Sequence, residues 1–412
     1  MNSFYKSYIQ KKSIYLEEPI IRKNRCKSNI KKLYLFNFFV GFSLISGILI
    51  PFYIIYGGFT FFEFMVLQSY YAVILLILEI PCGLIADKFN KKFTLILAAL
   101  SYCAVPFVYG IFVNKILFFV GETLFAFSNA LISGTNEAII YENLKQIGKE
   151  NRVIKIVARN DGMFLLGLLI SAPIGSILAN YISIQLVIIL MIIPYISSLL
   201  ITLRIHKTKI AKSTNRKNTL ILKSGFVKLW KNKILRILVF EKIIVEIIII
   251  FLVYTYQYYI LLEFNIPILY FGFIDASLSL SQFTFLNIIP QFTTNSVNRK
   301  KMLLINTLIP GIGYVLIAII NFAPIVIILF LIVMGLGLSR YIIFTNGINK
   351  QITPENRVTV LSTINVISGT LKAFLYPLIG FLMMININFL YLIFGVLILI
   401  FAMKSKIKKE YL

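Results

Sequence analysis

Hydrophobic residues in this chain neither alternate with polar ones nor recur every third or fourth position. They run in blocks. Twelve can be marked, at 33–57, 62–86, 93–113, 116–138, 160–180, 183–203, 237–260, 267–291, 302–320, 324–346, 358–384 and 387–403. Most have the ~20 residues or slightly more that one helical crossing of a bilayer needs. In hydrocarbon the backbone must satisfy its own polar groups, so unbroken blocks without period-two alternation predict helices rather than barrel strands. The pattern predicts an all-α integral membrane protein with 12 transmembrane helices. Polar stretches divide it into a tail (1–32), a six-helix half (33–203), a connection (204–236), a second six-helix half (237–403) and a short tail (404–412).

Composition points the same way. Of the 412 residues 59% are hydrophobic and 14% charged, against roughly 25% charged in soluble domains. A net charge of +25 fits either a nucleic-acid binder or a membrane protein with basic loops on one side. Position decides between them. The tails and the connections after segments 2, 4, 6, 8 and 10 hold 37 of the 41 basic residues, and the opposite loops hold Lys115 alone. This alternation predicts a multi-pass protein of the cytoplasmic membrane with both termini in the cytoplasm. It argues against nucleic acid as a partner, because the charge is spread over one membrane face. The first block has no small-residue cleavage site and predicts an anchor rather than a removed signal.

Chemistry of other kinds finds little support. Cys26, Cys82 and Cys103 are scattered, His206 is the single histidine, and no nucleotide-binding glycine loop or Ser–His arrangement is present. The chain therefore predicts no enzyme, no metal and no cofactor.

The halves carry traces of a repeat. "DKFNKK" at 87–92 can be laid on "NSVNRK" at 295–300, an offset of 208, and "ENRV" at 150–153 recurs at 355–358, an offset of 205. Each pair occupies the same place in its half, as in transporters built from two pseudo-symmetric units.

The turn "EIPCGLIADKFNKK" at 79–92 is unusually polar for its surroundings. Its "GLIADKFNKK" resembles the loop 2–3 signature of the major facilitator superfamily through Gly83, Asp87, Lys88, Lys91 and Lys92. Asn90 stands where that pattern has glycine, and asparagine is the next-best residue for a left-handed backbone. "SGTNEAIIYENL" (133–144) and "INKQITPENRVTVLS" (348–362) resemble a prokaryotic, drug-export-like branch of the superfamily. The resemblance implies the major facilitator fold and a cytoplasmic latch between the halves. Asp87 could pair with Lys91 or Arg152, and by the resemblance it would contact the start of segment 11, near Arg357 to Ser362. A plain topogenic turn would need the lysines but neither Gly83 nor Asp87.

Ionisable residues inside spans are costly and mark pathways or partners. They are Glu79, Glu122, Glu137, Glu241, Glu246, Asp275, Arg340 and Lys372. The resemblance implies that segments 1, 4, 7 and 10 line a central cavity. That set carries Glu122, Glu246 and Arg340, with Asn37, Asn129 and Gln257 as polar lining. Glu122 and Glu246 are candidates for a proton or a cationic substrate. Arg340 and Lys372 are candidates for an anionic group or for pairing with those acids. Glu241, with Lys242 beside it, is expected at the membrane interface, and the tyrosines at 254, 256, 258 and 259 in an interfacial belt. Proton-coupled exporters of the superfamily often carry an arginine in segment 4; here 116–138 has none.

The expectation is a monomeric secondary transporter, coupled to protons, that exports a small amphipathic molecule. Uptake of a small anionic metabolite is the alternative within transport, and a non-transporting receptor the alternative outside it.

Overall fold

A computed structural model describes residues 19–206, 218–293, 295–353 and 357–412. They form helices and connecting turns, with no strand among the described residues. The first half contains α1 (Pro19–Gly41), α2 (Phe61–Lys88), α3 (Lys91–Gly110), α4 (Lys115–Ile132), α5 (Thr135–Gln146), α6 (Val153–Tyr181), α7 (Ile184–Leu190) and α8 (Ile192–Leu203). Helix α9 (Asn218–Lys231) lies in the connection. The second half contains α10 (Lys233–Phe264), α11 (Ile268–Ile288), α12 (Ser296–Ile319), α13 (Ala323–Lys350), α14 (Arg357–Ile385) and α15 (Ile387–Lys404). Ten helical stretches among the described residues are long and apolar enough to cross a membrane. The other two expected segments are the first, which is broken, and α10, whose first half carries Arg236, Glu241, Lys242 and Glu246. Large apolar side chains face outward, as lipid-bathed helices require: Phe374 is 77% and Met403 76% exposed.

Short turns begin on capping residues that satisfy otherwise orphaned N–H groups. Thr60 and Glu63 form a reciprocal capping box at the start of α2. Asn114, Asn232 and Asn386 cap α4, α10 and α15. Asn90 does the same for α3: its φ is −69° and its side chain accepts from the Lys92 N–H. It is not left-handed, so it does not act as a substitute glycine; it is kept by its carbonyl. Asn295 caps α12 in the same way. The two caps are therefore equivalent at an offset of 205, the offset of the "ENRV" pair. Asn295 answers to Asn90 rather than to Asp87.

Three expected continuous segments are broken. Segment 1 becomes α1, a short 3-10 turn at Ser46–Ile48 and a π-helical turn at Pro51–Tyr56. Pro51 has no N–H, and the Ser46 hydroxyl and N–H both donate to the Ser43 carbonyl, an i→i−3 contact rather than the α-helical ladder. Segment 4 divides at Gly134, whose φ of +73° only glycine adopts freely. Segment 6 divides at Met191, near Pro194.

The halves meet mainly through α2 against α14 and α6 against α11. Small residues permit the second contact. A Cβ on Gly272 would lie 2.0 Å from the Ala172 carbonyl, and one on Gly47 would lie 2.3 Å from that same oxygen. Both contacts lie toward the face opposite the lysine-rich turns, called here the opposite face; the other is the basic face.

Candidate functional site

At the opposite face the break in segment 1 is spliced by the second half. Gln257 on α10 accepts from the Ile50 N–H at 2.9 Å and donates to the Ser46 carbonyl at 3.0 Å. These are backbone groups that an unbroken helix would have satisfied itself. Beside them Phe61 stacks on Tyr258 with centroids 4.4 Å apart, and Phe64 meets Tyr254. Gln257 is thus a clasp across a closed face rather than cavity lining. The tyrosines of α10 do not form a lipid-facing belt either. Tyr256 donates to Asp275 at 2.8 Å and Tyr259 donates to Asn388, because both rings point into the bundle.

Beneath this closure sits Glu122, buried on α4. It accepts hydrogen bonds from the hydroxyls of Tyr53, on the π-helical turn, and Tyr109, on α3. Phe52 and Phe118 pack around those tyrosines. Glu122 forms no salt bridge among the described residues. Asn129, one helical stretch further along α4, accepts from Tyr102 and donates to Tyr71. Asn37 accepts from Asn136 and donates to the Asn160 carbonyl, bracing α1 against α5 and α6.

On the basic side of the second half lies a cavity of about 470 Å³, walled by α10, α11 and α13. Lys242, Glu246 and Arg340 line it, so it holds two cations to one anion. Lys242 bonds Glu246 at 2.9 Å, one turn along the same helix, and lies over the Tyr341 ring. Lys242 therefore faces the cavity, not the membrane interface. Its neighbour Glu241 turns away and holds Ser405 and the Lys406 N–H. Arg340 is only 4% exposed, stands over the Phe344 ring, and has no hydrogen-bond partner for its Nε. The carboxylates of Glu241 and Glu246 are the charges acting on it. Lys372 on α14 lies within electrostatic reach of Glu246 and Lys242. The structure thus brings Glu246 and Arg340 to one cavity, with Lys372 within the field of Glu246 but not among the lining residues. It separates Glu122, which belongs to the first half, and Asp275, which bonds Tyr256.

The loop 2–3 residues brace the first half. Lys91 forms an ion pair with Glu142 on α5. Lys92 donates to the Leu203 carbonyl at 2.6 Å and Lys32 donates to Arg204, both at the C-terminal end of α8. That is where cations complement the helix dipole. Burial, then the charges of Lys92 and Arg204, hold the Lys32 ammonium below its ordinary range. Lys88 is exposed over Phe89, and Arg152 is exposed. The side chains of Asp87 and Arg357 lie outside the described residues.

Sequence reasoning overlooked several of these groups. Glu142 sits within "NEAIIYENL" but has no mark of its own. The four-residue spacing of Lys242 and Glu246 was a usable signal. Asp161, exposed at the basic end of α6 and within the field of Glu137, lies inside an apolar block and belonged with the other ionisable residues. Tyr53 and Tyr109 carried no signal among 23 tyrosines and 36 phenylalanines.

Two helical halves packed on each other through α2–α14 and α6–α11, with a charged cavity inside the second half, have the architecture of a membrane-embedded, multi-pass secondary transporter. The family model of the Major Facilitator Superfamily matches residues 33–377, and the chain belongs to that superfamily. Among solved structures it is similar to the nucleoside transporter NupG, with a TM-score of 0.75 and 16% identity over 93% of this chain and 100% of that one. It is also similar to a D-xylose–proton symporter, with a TM-score of 0.70 and 12% identity over 94% and 99% of the two chains. An auto-inhibited POT family peptide transporter gives a TM-score of 0.68 and 13% identity over 92% and 95%. These likenesses establish the fold. No curated protein matches the sequence.

Proposed function

We propose that the protein moves a small amphipathic organic anion across the cytoplasmic membrane by alternating access, coupled to protons. Arg340 carries this reading. A buried guanidinium whose Nε lacks a partner, at the wall of a cavity, is costly unless something completes it. A carboxylate or phosphate suits the planar fork of arginine. Tyr341, Phe344 and Met334 supply an apolar wall for the rest of the molecule. Lys242 can turn from Glu246 to the same anion without changing helix. Glu122 is the proton carrier in this scheme, since it is an acid under the closed face with only tyrosine hydroxyls as partners.

The basic face is taken as cytoplasmic, so the cavity faces a cytoplasmic anion and export is the direction proposed. Uptake would run through the same residues in reverse. Proteoliposomes loaded on either side with amphipathic carboxylates and phosphates test both. Arg340→Gln is expected to weaken anion binding by at least about tenfold, the scale of one charge-assisted hydrogen bond. Arg340→Lys is expected to recover only part of it. Unchanged anion transport by Arg340→Gln would overturn the assignment.

A further inference from the structure

A second cavity, of about 760 Å³, lies outside the transport site. Its walls are α9, the first turns of α10 and the first half of α14. Of its lining residues only Trp230, Arg236, Thr363 and Thr370 carry polar atoms in their side chains. The two threonine hydroxyls are already donated to their own helix, at the Thr359 and Val366 carbonyls. The groove therefore presents hydrocarbon along its length. One end is pinned where α9 crosses α14, since a Cβ on Gly225 would lie 2.2 Å from the Thr363 hydroxyl. Phe226, Trp230 and Phe240, each about half exposed, form its open side.

Length and charge identify what fits. From Arg236 to Ile244 on α10, and from Thr363 to Leu371 on α14, the walls run nine residues, or ~12 Å at the helical rise. Half the hydrocarbon thickness of a bilayer is ~15 Å. The groove thus reaches from the basic face nearly to the midplane. At its mouth Arg236 lies against Trp230, with the guanidinium 5.4 Å from the ring centroid and Nη1 donating to the Trp230 carbonyl. Its other N–H donors remain for a ligand. The stretch 217–236 contains six basic residues and no acidic one, although Lys228, Lys231 and Lys233 line a separate pocket beside Gln351 and Ile352.

We propose that this groove binds an anionic phospholipid, with an acyl chain between α9, α10 and α14 and the phosphate at Arg236. The site is distinct from the Arg340 cavity and does not depend on what that cavity carries. It rests on the basic face lying at a lipid headgroup layer. A bound chain would touch α14, the helix that packs on α2 across the halves, so its occupancy would bear on how the halves move.

Trp230 is the chain's single tryptophan, which makes the test direct. The full-length protein is reconstituted in vesicles containing increasing fractions of phosphatidylglycerol or phosphatidylcholine with brominated acyl chains. Quenching of Trp230 fluorescence is expected at an about fivefold lower fraction of the anionic lipid, the scale of one basic residue's attraction to an anionic lipid surface. Arg236→Gln is expected to remove the preference while the emission maximum stays that of a folded, lipid-exposed site. Thr370→Phe, which fills the groove without touching Arg236, is expected to reduce quenching by both lipids. Equal quenching by the two lipids, or a preference that survives Arg236→Gln, would reduce the site to ordinary annular lipid. Absence of quenching by either would mean that protein covers the groove. Each of these results overturns the proposal.

Discussion

Glu122 illustrates what one residue type can and cannot disclose. An acid inside an apolar block is conspicuous, and so is Arg340; both were legible from the sequence because charge in hydrocarbon is costly. The partners of Glu122 were not, because tyrosine serves equally as core filler and as hydrogen-bond donor. Those partners shape the test. Glu122→Gln keeps an oxygen that Tyr53 and Tyr109 can still reach, so the fold should hold, with a change in melting temperature of only a few degrees. Proton-driven transport in proteoliposomes should be lost, and exchange of substrate down its own gradient should persist. Full pH-driven transport by this variant would remove Glu122 as the coupling group. Glu246 behaves differently. Replacing it frees Lys242 in the cavity and makes the wall more cationic, so Glu246→Gln should tighten binding of an anionic substrate, by an amount isothermal titration can read. Weaker binding would count against the anionic reading.

Among the elements, number and order were legible from apolar blocks alone, whereas the interruptions were not. A hydropathy block does not register that Pro51 and the serines before it stop the ladder, or that Gly134 takes a positive φ. It registers still less that the orphaned groups at 46 and 50 are completed from 257, over two hundred residues away. Gln257→Leu is nearly isosteric and leaves that N–H and carbonyl without partners, at a cost of about 1–3 kcal/mol for each buried group. The closed face should loosen. A cysteine at Leu261, in a background lacking Cys26, Cys82 and Cys103, should be labelled faster from the opposite face, and the melting temperature should fall. Gly272→Val should act in the same direction through sterics, since its side chain would meet the Ala172 carbonyl. If labelling is unchanged in both variants, the clasp is not a gate.

At the scale of the whole molecule, the basic turns set an orientation that fusions can check. Reporters after residue 412 and within 204–236 should both report cytoplasm, and a reporter from the other side would reverse the assignment of faces. The repeat is a whole-molecule property as well. Its register was half legible: the "ENRV" pair carried the offset shared by the caps of α3 and α12, while the basic turns suggested one three residues longer, because lysine-rich loops resemble one another without being equivalent. The closure beneath the opposite face has a consequence in electrical terms. A cavity open to one side brings that side's potential inward, so the membrane voltage falls across the thin plug made by residues 46–65 and 254–261. Each charge crossing that plug is worth ~2.3 kcal/mol per 100 mV, whereas a charge moving within the cavity feels almost none of it. Glu122 lies within that plug, bonded to Tyr53, so a proton reaching it from either side would cross part of the field, and both half-reactions of a proton-coupled cycle should depend on voltage.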